Sequence, residues 1–144
     1  MNLPEYITKL EVQRVCGELG IRDWTKLTAS EVTLDEAQRI QAEVGGETSQ
    51  ITTEQFQQGL EVELEHGITF PDANVTNNHP LLTGKIVLAH LKEMLDYYDR
   101  LDVAEVEGDL LKATRAGNAE KVMRLYKRLI AARAALTAKE STSL

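Results

Sequence analysis

Val12, Val15, Cys16 and Leu19 recur at i, i+3, i+4 and i+7, the spacing that gathers apolar side chains on one helix face, and Gly20 follows where such a helix ends. Trp24, in the irregular connector IRDWTKLTASEVT, is the one tryptophan and is expected to anchor that connector to the core. Thr33 with Glu36 three residues on forms a capping-box signature, and Leu34, Ala37, Ile40 and Val44 give a second helix ended by Gly45-Gly46. Thr52 and Gln55 repeat the signature and open a third helix, expected to run through Phe56, Leu60 and Leu64 to His66 and stop at Gly67. A polar loop rich in Asn, Asp, Thr and Pro follows. A long helix is predicted from near Thr83, continuing through Val103, Val106, Leu110 and Ala113 to Ala116-Gly117-Asn118. The last helix, from about Ala119 to Leu136, alternates spacings of three and four at Val122, Leu125, Leu129, Ala132 and Leu136, with Tyr126 and Ile130 widening its apolar face. Only Ile68-Thr69-Phe70 has a strand-like pattern. The expectation is an all-α protein: a small helical bundle over residues 1–101, then a C-terminal helical hairpin or projecting helix pair over 102–144.

Composition supports a folded domain and narrows the setting. At 144 residues, with 42% hydrophobic and 27% charged residues, the chain can bury a core without disulfides or metals. No apolar run approaches the roughly 20 residues of a membrane span, and MNLPEYITKLEVQ lacks a secretory signal, so a cytoplasmic location is expected. The lone Cys16 lies in an apolar stripe and reads as a small buried hydrophobe rather than a reactive thiol.

Charge is unevenly placed. Up to Gly108 the chain has 8 Lys/Arg and 20 Asp/Glu; from Asp109 onward it has 8 Lys/Arg and 3 Asp/Glu, giving −12 and +5 and the net −7 of the whole. Such an asymmetry fits a basic segment folding back on its own acidic chain, or docking to an acidic protein. Nucleic-acid binding fits poorly, because the pI is near 5.0 and no aromatics are interleaved with the bases.

The stretch GLEVELEHG, Gly59 to Gly67, holds the candidate chemistry. At about 100° per residue Glu61 and Glu65 point away from the apolar face, whereas Glu63 and His66 fall within it. On the following helix His90 is expected to share an apolar side with Ile86, Met94, Tyr97 and Leu101, with Glu93 at its edge. Glu63, His66, His90 and Glu93 are therefore candidate ligands for iron, manganese or zinc, since Glu-x-x-His pairs on facing helices build di-iron sites. Set against this is a structural polar cluster in which these groups satisfy one another, with Tyr97 or Tyr98. The second pair also runs in reverse order, and further carboxylates are missing. Asp72, Asn74 and Thr76 mimic the start of a calcium loop without its glycine and final glutamate. Phosphate-cradling glycine loops and Ser-His-Asp arrangements are not evident.

GLEVELEHG, NVTNNHPLLTGKIVLAHLKE and DYYDRL, together with GIRDW and TTEQFQQGL, resemble DUF5661, a family of small proteins of prokaryotes and their viruses without an assigned activity. The resemblance covers about Val15 to Leu101 and includes Glu63, Glu65, His66, Asn74, Thr76, Thr83, Gly84, Lys85, His90, Glu93, Tyr97 and Tyr98, without giving any of them a role. Where the family typically has Asp-Pro before DYY, this chain has Met94-Leu95, so its helix is expected to continue unbroken. The functional expectation is a non-enzymatic structural or interaction protein, a component of a phage particle or another multi-subunit assembly, joined to protein partners or to itself through the C-terminal helices. The alternative is a metal-binding helical protein.

Overall fold

Each of the first three helices starts where a threonine hydroxyl takes up a free backbone N–H. Thr8 accepts from Glu11 at the head of α1 (Lys9–Leu19), Thr33 from Glu36 at the head of α2 (Leu34–Val44), and Thr52 from Gln55 at the head of α3 (Thr53–Thr69). In α2 and α3 the box is reciprocal, with Glu36 and Gln55 reaching back to the cap backbone, and such caps contribute about 1 kcal/mol each. α4 (Pro80–Glu93) uses a different device. His79 Nδ1 accepts the Leu82 N–H at 3.4 Å, and Pro80 occupies a first-turn position where its missing N–H costs nothing.

The structure, a computed structural model, describes residues 4–143 and divides the chain into two compact units, Met1–Leu95 and Asp96–Leu144. Among the described residues it is all-α, with α5 (Tyr97–Arg115), α6 (Ala119–Ser143) and three short 3₁₀ turns completing the elements. No helix among them is long and apolar enough to cross a membrane.

In the first unit the periodic positions of α1 to α3 converge as their spacing predicts. Val12, Trp24, Ile40, Phe56, Leu60 and Val87 are fully buried, and Trp24 pins the α1–α2 connector into this core. α4 packs against both α2 and α3. Its close approach to α2 depends on Gly84, where a Cβ would stand 2.7 Å from Val44 Cγ2 and 3.0 Å from Ile40 Cγ2.

Four expectations are corrected here. α3 does not stop at Gly67 but runs to Thr69, taking in Ile68 and Thr69 of the supposed strand. Gly67 is instead where the next loop crosses the helix. A Cβ there would lie 2.3 Å from Asn78 Oδ1. α4 starts at Pro80 rather than near Thr83 and ends at Glu93, because Met94 is extended (φ −157°, ψ 136°); the long helix is two helices. The buried face of α4 is Thr83, Gly84, Val87, Leu88 and Leu91, which leaves Ile86 and Met94, the expected companions of His90, on the surface. Leu34 is likewise exposed at the first turn of α2, while Ala37, Ile40 and Val44 of the same stripe are buried.

The second unit is α5 packed on α6. Val106, Ala113, Leu125 and Leu129 are buried together, with Val103, Leu110 and Val122 against them. Gly117, in the left-handed region at φ 65°, turns the chain between the two helices. Ion pairs Asp99–Lys139 and Arg100–Glu140 join the start of α5 to the end of α6, and Glu107–Arg133, further along α5, falls earlier in α6, which makes the pair antiparallel; Asp102–Arg128 adds a fourth link. Much of the basic C-terminal charge is thus matched by acids of α5. Tyr126 and Ile130, expected to widen the seam, are more than half exposed, because two helices cover only a narrow stripe of each other.

Candidate functional site

Glu63 and His90 meet. Glu63 Oε1, on α3, lies 3.5 Å from His90 Nε2 on α4, with the Glu63 side chain 13% exposed. On the opposite side of the ring, His90 Nδ1 is 3.9 Å from Glu93 Oε2, whose side chain is 70% exposed, so that contact is long and well hydrated. The imidazole therefore bridges two carboxylates along a row. His66, expected to point inward beside Glu63, is exposed at the last turns of α3. The candidate metal set is thus brought together only as Glu63–His90–Glu93. Among the described residues no group of three or more His, Cys, Asp and Glu is placed to hold one metal ion.

Glu63 and His66 border a cavity of about 230 Å³ whose wall includes Asn74, Asn78, Thr83 and Ile86. This is smaller than the roughly 300–1,000 Å³ of ordinary ligand pockets. Its polar side is built by Asn74. Asn74 Nδ2 donates to the Gly67 carbonyl at 3.1 Å and to Asn78 Oδ1 at 2.8 Å, and Asn74 Oδ1 accepts from the Thr76 backbone and hydroxyl, both at 3.3 Å. Asn77 and Asn78 take left-handed φ values of 49° and 59°, and Asn77 Nδ2 donates to the Ile7 carbonyl and to Glu5 Oε1. The asparagines thus spend their donors and acceptors on the loop itself, tying α3 and the N-terminal segment to it.

The most buried carboxylate lies elsewhere, at a residue that sequence periodicity marks only as a cap. Glu36 is 2% exposed. Its Oε1 accepts from Arg22 N and Nε and from Trp24 Nε1, and its Oε2 accepts from Arg22 Nη2, Thr33 N and Thr33 Oγ1. Burial pushes its pKa up, but the Arg22 guanidinium and the backbone N–H groups of Thr33 and Arg22 outweigh it and bring it to about 2. Glu61 is a second case. Expected to be solvated, it accepts the Val32 N–H at 3.0 Å, while Gln57, one turn earlier, donates to the Val32 carbonyl. Together the two side chains satisfy both backbone groups of a buried residue outside regular structure.

These carboxylates therefore brace backbone. Cys16 offers no nucleophile, since it is buried and its thiol is pushed up by burial, away from the thiolate form.

The family described as a protein of unknown function, DUF5661, matches residues 12–107, and the chain belongs to it. The match takes in α2 to α4 and most of α1 and α5, and ends before α6. No curated protein and no solved structure matches the chain.

Proposed function

From membership in a family without an assigned activity, we propose that this protein is a non-enzymatic structural or interaction component of a multi-subunit assembly. The observation that carries this reading is the outward face of the second unit. Leu111, Met123, Tyr126 and Ile130 are each 52–59% exposed on a helix pair whose core is made by other residues. Apolar side chains placed in a row on a helix surface, and not needed by the fold that displays them, mark a surface that another molecule covers. Polar groups of the first unit support the same reading, because Glu36, Glu61 and Asn74 are engaged in holding the chain's own backbone. A phage particle is one such assembly; that setting comes from the family resemblance and not from the geometry.

The test is the native size of the full chain, by sedimentation in extract of the cells that make it and after purification. A particle larger than one chain in the extract, reduced in size when Tyr126 and Ile130 are both changed to Glu, is the expected result. A chain that sediments as a single copy in both preparations overturns the reading.

A further inference from the structure

We infer that the cavity bounded by α3, the loop after it and α4 is a binding site for a primary alkylammonium, either a small free amine or the side chain of a lysine. The site lies wholly within the first unit and is independent of the α5–α6 face and of the assembly reading.

One helix face builds its first wall. Glu63, His66, Gly67 and Phe70 follow one another at i, i+3, i+4 and i+7 over the last turns of α3, so all four line the cavity. Thr83 and Ile86, at i and i+3 on α4, line it as well, and residues 73–76 of the loop complete the wall. The space of about 230 Å³ corresponds to roughly seven or eight water volumes. That suits a ligand of a few heavy atoms and is too small for a nucleotide.

Charge sets the sign of the ligand. Among the described residues that line the cavity, Glu63 is the one carboxylate and none is Lys or Arg. Its side chain is 13% exposed, so a charge-assisted hydrogen bond to it is less screened than one at the open surface. The cavity also adjoins the C-terminal end of α3, which Phe70 caps and where the helix dipole favours a cation. The head of α4 has the opposite polarity, but its Leu82 and Thr83 N–H groups are already taken by His79 Nδ1 and the His79 carbonyl. Asn74 likewise spends its amide on Gly67, Asn78 and Thr76. An anion would therefore meet a carboxylate and find its donors occupied.

The apolar part of the lining sets the rest of the ligand. Phe70, Val75 and Ile86 are large hydrophobic side chains exposed around this one cavity, and none belongs to the buried core. They can cover a short methylene chain, and an aromatic ring beside the charge adds cation–π attraction. A primary alkylammonium combines the two requirements, a compact charge with three N–H donors on an aliphatic stem.

The test is an amide and methyl NMR titration of the full chain with n-butylammonium chloride at constant ionic strength. The expected result is saturable shifts confined to the surroundings of Gly67, Val75, Thr83 and Ile86, with a dissociation constant on the order of 1 mM for so small a ligand. Shifts that stay linear to the highest concentration overturn the inference. 1-Butanol, neutral and of the same shape, and butyrate, of opposite charge, should each bind at least about tenfold more weakly; equal binding of either one overturns it too. Glu63→Gln should weaken n-butylammonium at least about tenfold with unchanged circular dichroism, and Phe70→Ala, at an exposed position, about two- to fivefold. An affinity unchanged in both variants would place the amine elsewhere and refute the site. N-acetyl-lysine methylamide separates the two sources: binding as tight as that of n-butylammonium assigns a lysine side chain, and binding of n-butylammonium alone assigns a free amine.

Discussion

Glu36 holds Arg22 by two parallel contacts, Oε1 to Nε at 2.9 Å and Oε2 to Nη2 at 2.7 Å, from a position almost withdrawn from water. Arg22 Nη2 also donates to the Glu31 carbonyl. One ion pair thereby joins the two ends of the α1–α2 connector and seats Trp24, whose Nε1 points at the same carboxylate at 3.4 Å. A bidentate pair satisfied this fully is costly to break from one side, because the partner left behind is a buried charge.

Arg22→Met should therefore destabilise the protein by about 3 kcal/mol in chemical denaturation. The pH dependence has a definite sign. Glu36 is held at about 2, below an unfolded carboxylate, so its contribution is present above about pH 4.3 and is lost as pH falls towards 2. The urea midpoint should drop across that window, and the drop should be shallower in Glu36→Gln. Equal slopes in the two proteins would show that Glu36 is not the group responsible.

His79 gives a second pH window. Its Nδ1 accepts the Leu82 N–H, which requires the neutral ring, and burial holds its pKa below the usual histidine value; the Glu11 carboxylate acts in the opposite sense, while the Arg14 guanidinium acts with burial. A lowered folded pKa means stability is complete above about pH 6.5 and declines as pH falls below it. Melting temperature should fall between pH 6.5 and 5, and His79→Asn, a capping residue that does not titrate, should remove that part of the fall. His79→Ala should cost about 1 kcal/mol at pH 7 through the lost cap.

What was legible in the sequence was local. Both capping boxes, the α1 stripe, buried Cys16 and the Trp24 anchor depend on neighbours within a turn or two, and all are present. The break at Met94 was not legible, because no proline or glycine marks it; the available signal was Asp96 with Arg100 one turn on, an acid at the N-cap of a new helix. Glu61 looked solvated because a helical wheel knows nothing of Val32, which comes 29 residues earlier. His66 fell inside the apolar arc, yet the loop crosses α3 at Gly67, one residue further on, and leaves the imidazole in water. Glu63 and His90 were correctly paired, although the face of α4 assigned around His90 was wrong.

That pairing makes metal addition informative. Because no group of three or more His, Cys, Asp and Glu among the described residues is placed to hold one ion, iron, manganese or zinc added in slight excess should leave the melting temperature unchanged. Stoichiometric metal retained through purification, and lost in both Glu63→Ala and His90→Ala, would establish a metal centre instead.

Two glycines in helices should respond to alanine in opposite directions. At Gly17 of α1 a Cβ meets nothing within 4 Å, so Gly17→Ala should gain up to about 1 kcal/mol from helix propensity alone. At Gly67 the same propensity gain is available, but the new Cβ would stand 2.3 Å from Asn78 Oδ1 and 3.0 Å from Asn74 Nδ2. Asn74 cannot retreat freely, since it also bonds the Gly67 carbonyl and caps Thr76. Asn78 is held by that same Asn74 and by its left-handed backbone. Displacing them should cost about 1–3 kcal/mol, more than the propensity gain, so Gly67→Ala should lower the melting temperature. Deletion of the contact by Asn78→Ala tests the cause. If crowding of Asn78 is responsible, Gly67→Ala should cost clearly less in the Asn78→Ala background than in the natural chain, and equal costs in the two backgrounds would assign the loss to some other feature of Gly67.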